Sequence, residues 1–312
     1  MLETQTTAHG ASSRDTQWKP VAPIGSAGLS KESVNPASRG NEASDLSLER
    51  YMLEPVAPPL ATVDGWPINM PDMPSTVSAT IAAAKSHVPF TVFTLNLDHL
   101  VKLRTSAPFR LAYRNARFVT ADGEPVARIA ARQDARITRT TGADLVVPLA
   151  IEAAKNGVSL FLFGSTADTL ARAGRDLVER SGGSLDIAGT LAPSHDFDPE
   201  GPEADAALER MAQSGASICL VALGAPKQEV FAAYAQRRGV KIGFVCIGAA
   251  LDFLSGQQVR APEVMQKYGL EWLWRLSTSP RRFTKRYLLC ALLLADITIL
   301  SPIRHAVSGA RS

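Results

Sequence analysis

The stretch Arg117-Phe-Val-Thr-Ala-Asp-Gly-Glu-Pro-Val-Ala-Arg128 carries an apolar run into a carboxylate and a glycine. A short apolar run bounded by a turn pair reads as a strand, which puts Asp122 at a strand's carboxyl end. Two readings fit. Asp-Gly is a favoured turn pair. A carboxylate at the mouth of a sheet can also be a general base, if it lies within hydrogen-bond reach of the proton it removes. Upstream, Phe93-Thr-Leu-Asn-Leu-Asp98 closes another β-rich run, and Thr94 and Asn96, two residues apart, are expected on one side of it.

Three further strand ends carry glycine with polar groups. At Phe163-Gly164-Ser-Thr166, Gly164 lets backbone approach a phosphate beside a helix N-terminus. A plain turn with Ser165 or Thr166 as helix cap fits equally. At Leu223-Gly224-Ala-Pro-Lys-Gln-Glu229, Lys227 can reach phosphate and Gln228 can donate and accept. Glu229 is expected to be solvated there, on the first turn of a helix. At Gly248-Ala-Ala-Leu-Asp252, the carboxylate sits among apolar residues and needs a partner, either a nucleobase or ribose or a backbone N–H.

Metal chemistry has one thin candidate. Asp196-Phe-Asp198 has the spacing with which many nucleotide-sugar transferases hold a divalent cation. It lies between Pro193 and Pro199, where solvated loop acids are the simpler expectation. The five histidines show no zinc spacing. No Gly-x-Ser-x-Gly occurs, and no Cys–His pair suggests a nucleophile.

These groups need elements to hold them. From Phe90 to Ile247, apolar strand-like runs alternate with helical patterns. That argues for an α/β domain, a Rossmann-like, mainly parallel sheet with helices on both faces. Ligands in such sheets sit at the carboxyl ends of the strands, where all the candidate residues fall. Residues 1–75, rich in Ser, Thr, Ala, Pro and Gly, read as a disordered or low-complexity tail. The sheet domain is expected over 76–262, with a helical, basic and apolar appendage over 263–312.

Net charge is +3 for 312 residues, and 46% of them are hydrophobic. The charge is uneven: from Arg260 onward there are nine Lys or Arg and three acids. A basic end on a near-neutral body suits an anionic partner. The cluster Arg281-Arg-Phe-Thr-Lys-Arg286 precedes the apolar Leu288–Leu300, too short to span a bilayer but suited to an interfacial anchor. An ordinary helix packed on the sheet domain fits too. Nucleic acid is not expected as a partner, because Phe283 and Tyr287 are the only aromatics within the cluster. The three cysteines form no CxxC pair and read as reduced core residues of a cytosolic protein. No charged segment followed by an apolar one marks a secretion signal at the N-terminus.

Taken in order, several stretches resemble the WecG/TagA/CpsF glycosyltransferases, sugar transferase family 26. They are Thr94-Leu-Asn96, Thr120-Ala-Asp-Gly123, Arg139-Thr-Thr-Gly-Ala-Asp-Leu145, Pro226-Lys-Gln-Glu229, Gly248-Ala-Ala-Leu-Asp-Phe-Leu-Ser-Gly256, Glu271-Trp-Leu-Trp-Arg-Leu276 and Pro280-Arg-Arg-Phe-Thr-Lys-Arg-Tyr287. The resemblance covers about residues 78–290. It implies an inverting transfer from a UDP-sugar to a polyprenyl-pyrophosphate-linked acceptor, in bacterial surface or exopolysaccharide synthesis. It implies no cofactor and no metal, and work on the cytoplasmic face of the inner membrane. Self-association is compatible with it. By the resemblance Asp122 is the base, and Thr94, Asn96, Gln228 and Asp252 meet the donor. Arg139 meets phosphates, and Arg275, Arg281, Arg282 and Arg286 grip the leaving diphosphate or the acceptor pyrophosphate. Glu124-Pro125 departs from the small apolar residues common after the Asp-Gly pair and is expected to reshape the acceptor side.

Overall fold

The computed structural model describes residues 58–300; most of the expected tail lies outside them, as do the side chains of Glu263, Lys267 and Arg282. The chain opens with an antiparallel hairpin, β1 (Ala61–Val63) and β2 (Trp66–Ile68). Asp64 and Gly65 turn it, both with positive φ (51° and 76°), as two-residue hairpin turns require. Ala61, Val63 and Ile68 are buried in the core, and Arg104 holds Asp64 through two hydrogen bonds of 2.9 and 3.0 Å. The ordered domain thus starts well before the expected boundary at 75. The three-residue strands, one containing Pro67, give too little periodicity to stand out, and the Asp64-Gly65 pair was the available signal.

Then follow α1 (Met73–Lys85), β3 (Phe90–Leu95), α2 (Leu97–Thr105), α3 (Ala107–Arg114), β4 (Phe118–Ala121), α4 (Glu124–Ala131) and α5 (Gly142–Lys155). After them come β5 (Leu160–Gly164), α6 (Ala167–Arg180), β6 (Ile187–Leu191), α7 (Pro202–Ser214), β7 (Ile218–Ala222), α8 (Lys227–Arg237), β8 (Gly243–Cys246) and α9 (Ala250–Leu254). Strands β3 to β8 form one six-stranded sheet in the order β4-β3-β8-β7-β5-β6, every pair parallel. β3 is buried at all six positions, as a strand covered on both faces must be. One core packs Leu100, Phe109, Tyr113, Val126 and Phe231 against one face. The other packs Val77, Leu145, Leu149, Leu170 and Leu251 against the opposite face. The expected doubly covered parallel sheet is the fold.

The remainder is helical: α10 (Glu263–Lys267), α11 (Glu271–Thr278), α12 (Pro280–Ala295) and a π-helical turn to Leu300. α12 packs along α2, burying Cys290 and Leu293. Its other side leaves Leu288, Leu289 and Leu292 exposed. No helix among the described residues is long and apolar enough to cross a membrane.

Candidate active site

Parallel register decides what meets at the sheet's carboxyl edge. β3 pairs with β4 so that Thr94 lies beside Thr120 and Leu95 beside Ala121. The next residue, Asp122, donates its N–H to the Leu95 carbonyl at 2.8 Å, extending the ladder by one rung. This brings the Asp122 carboxylate over the end of β3. There its Oδ2 accepts from Asn96 Nδ2 (3.1 Å) and from the Thr94 hydroxyl (3.3 Å). Both donors hold the same oxygen, Oδ2. Asn96 also serves as N-cap of α2, where its Oδ1 accepts the His99 N–H. Gly123 turns the chain away at φ +78°, so the turn and the carboxylate coexist.

Protein surrounds Asp122 although part of its surface stays open. Burial pushes its carboxyl above the usual aspartate range. The Asn96 and Thr94 hydrogen bonds and the charge of Arg275 oppose that rise, while Glu271 adds to it. A carboxylate with a raised pKa is, in its ionised form, a stronger base than a solvated one.

Asp122 opens into a cleft of about 390 Å³ between the edge of the sheet and the appendage. Asn96, Glu124, Pro125, Arg139 and Thr141 line one side; Glu271, Trp272, Arg286, Tyr287 and Leu294 line the other. Glu124 stands in this wall, paired with Arg128 at 2.6 Å. Arg139 reaches Glu271 Oε1 at 3.2 Å and Asp144 Oδ2 at 3.8 Å. Arg260 holds the same two acids, Asp144 at 2.5 Å and Glu271 at 3.6 Å. Two arginines and two carboxylates thus fasten α11 to the start of α5. That fastening sets Arg275 near Asp122, with its guanidinium 5.7 Å above the Phe253 ring. Arg286 lines the cleft and is paired with Asp98, 3.1 Å away, rather than standing open.

Other expected residues gather elsewhere. Thr166, not Ser165, caps α6 by accepting the Thr169 N–H. Ser165 has φ +46° and donates its hydroxyl to Asp252 Oδ1 at 2.6 Å, while Gln258 donates to Oδ2 at 2.8 Å. Gly164 makes this possible: at φ +116°, a Cβ would lie 2.4 Å from the Ala222 carbonyl oxygen. Gly224 supplies the turn after β7. Lys227 and Arg281 face solvent.

The first turn of α8 sits deeper than its sequence suggests, which corrects one expectation. Gln228 is 3% exposed, with its amide engaged inside the protein. Glu229, expected in solvent, is fully buried beneath α2 and α3, and burial pushes its carboxyl up to about 7. The first turn of α8 lies inside the sheet edge because β7 is a central strand. The Asp-Phe-Asp loop follows β6 at the edge opposite β4. Five strand spacings, about 24 Å, separate those edges. Phe197 is buried against Phe163 and Phe231, which turns Asp196 and Asp198 out to solvent. Among the described residues no group of three or more His, Cys, Asp or Glu could hold a metal.

Sequence reading missed Glu271, Trp272 and Tyr287 as cleft residues and Arg260 as part of the fastening beside them. Their motifs stood out as strings, but the Arg139–Glu271 pair joins positions 132 residues apart.

A base candidate held at a parallel-sheet edge, beside a second rim of turns and under arginines from an appendage, is the layout of a Rossmann-like glycosyltransferase. Residues 61–305 match the family model of the Glycosyl transferase WecG/TagA/CpsF family, and the chain belongs to that family. The match starts on the first residue of the hairpin and runs through the appendage, so both are parts of the family's unit. Enzymes of this class serve cell-surface polysaccharide synthesis with a nucleotide-sugar donor and a lipid-linked acceptor.

Proposed function

We propose that the protein is an inverting glycosyltransferase that moves a sugar from a UDP-sugar to a polyprenyl-pyrophosphate-linked acceptor, with Asp122 as general base. The observation that carries this is the Asp122 carboxylate, pinned through one oxygen by Thr94 and Asn96 at a residue that lines the cleft. The acceptor hydroxyl gives its proton to Asp122 as its oxygen bonds to the anomeric carbon. The bond from that carbon to the UDP oxygen breaks on the opposite face, and its electron pair leaves with the diphosphate. Asp122 then carries the proton. Arg275 and Arg139 supply positive charge for the departing or resident phosphates, where preorganised cations lower a barrier most. The turns carrying Gly164 and Gly224, with Asp252 on α9, suit the donor's nucleotide end. Arg281 and Arg282 precede the cleft-facing part of α12 and suit the acceptor pyrophosphate or a lipid surface.

The reaction needs no metal in this reading, since cations stand in the cleft and the Asp196–Asp198 pair is remote from it. The exposed Trp272, Leu273, Leu288 and Leu292 beside Arg281 and Lys285 suit peripheral contact with the cytoplasmic face of the inner membrane. The test is UDP release from a panel of UDP-sugars with a synthetic polyprenyl-pyrophosphate-sugar, with and without chelator. Acceptor-dependent release that survives chelation supports the proposal, and release that requires a divalent ion overturns its metal-free form. Co-sedimentation with anionic vesicles tests the membrane claim, and protein that stays in the supernatant removes it.

A further inference from the structure

Beneath the rim lies a sealed polar patch that the proposed reaction does not use. It comprises Gln228 and Glu229 at the start of α8, with His99 and Tyr113 above them, all buried. Glu229 Oε1 accepts from Gln228 Nε2 at 2.8 Å, and Gln228 Oε1 accepts from the Gly248 N–H at 3.0 Å. Glu229 Oε2 has no hydrogen-bond partner among the described residues. His99 contacts the Tyr113 hydroxyl at 2.7 Å, and its other ring nitrogen is 4.0 Å from Glu229, too far for a hydrogen bond. Burial holds His99 neutral, so it gives Glu229 no charge partner.

An amide can sit in either of two senses, and only its oxygen can take the Gly248 N–H. The Glu229 oxygen accepts, which fixes the NH2 on its side and turns the Gln228 oxygen toward Gly248. Gly248 has φ +59° and begins the turn between β8 and α9, the helix that carries Asp252. A buried acid with a bare oxygen is a poor stabiliser. Stability alone therefore does not account for it.

We infer that Glu229 is a positioning residue: through the Gln228 amide it locks the β8–α9 turn, and with it the Asp252–Ser165 pair at the donor end. The effect on nucleotide rests on the donor reading above, whereas the effect on the turn does not.

The test is hydrogen exchange on the unliganded full-length protein together with UDP titration by calorimetry. In Glu229→Leu, exchange at Gly248 and the following turn is expected to speed up by about tenfold or more, because a buried hydrogen bond loses its orientation. UDP affinity falls by about tenfold, and Glu229→Gln regains it, a rescue by the conservative variant that loss of packing alone would not give. Gln228→Leu gives the same local loss, and the double variant loses no more than either single change. Glu229→Gln keeps an accepting oxygen and restores protection. Unchanged exchange at Gly248 in Glu229→Leu, or additive losses in the double variant, overturns the inference. If Glu229→Leu does not fold, Gln228→Leu set against Glu229→Gln decides the same question. Absence of UDP binding by the unaltered protein would sink the donor reading, and the exchange result would still judge Glu229.

Discussion

Asp122 and Glu229 are both carboxylates at the carboxyl edge of one sheet, and burial raises both. They differ in what surrounds them. Asp122 has two donors on one oxygen, Arg275 nearby and an opening into a cleft. Glu229 has one side-chain donor, a bare oxygen and no opening. A raised carboxyl therefore does not by itself identify a base. Access separates the group that can exchange a proton with a substrate from the one that orients a neighbour.

Converting both carboxylates to amides sharpens the contrast most. Asp122→Asn should lower acceptor-dependent UDP release by about 10³-fold, within the range ascribed to general bases, with UDP affinity kept. Glu229→Gln should cost only a few-fold. Comparable losses in the two would break the distinction. Next in size, Asn96→Ala removes a donor to Asp122 and the cap of α2. Turnover should drop roughly tenfold, and stability should fall by about 1 kcal/mol in denaturant unfolding. A loss of stability without loss of turnover would reduce Asn96 to a cap.

Smaller effects read the electrostatics. Arg275 lowers the Asp122 pKa and Glu271 raises it. The base must be ionised, so activity rises with pH through that pKa. Arg275→Ala should move the acid limb to higher pH and Glu271→Gln to lower pH, each by a fraction of a unit to about one unit. Shifts in the same direction would contradict the assigned signs. Smallest of all, Asp196→Ala with Asp198→Ala should leave turnover within twofold, a change of under ~0.5 kcal/mol in barrier.

Local chemistry made much of this readable in the sequence. The six sheet strands were visible as apolar runs, and Thr94, Asn96 and Asp122 as polar groups at strand ends. Register alone makes them one site, and a parallel β3–β4 pair follows from the pattern of alternating strands and helices. The hairpin at 61–68 was hidden because three-residue strands carry almost no period. Glu229 was misread because Lys-Gln-Glu has the composition of a solvated helix start, and only the placing of β7 inside the sheet buries it. The Arg139–Glu271–Arg260–Asp144 fastening was out of reach, since no local rule links residues so far apart in the chain.

The claim that Asp122 is the base is tested most directly by the pH dependence of acceptor-dependent UDP release in the unaltered enzyme and in Asp122→Asn. With Asp122 as base, the unaltered enzyme shows an acid limb above the ordinary aspartate value, and the residual activity of Asp122→Asn is flat across the same range. A limb of the same position and slope in Asp122→Asn would assign the titrating base to another group and contradict that role.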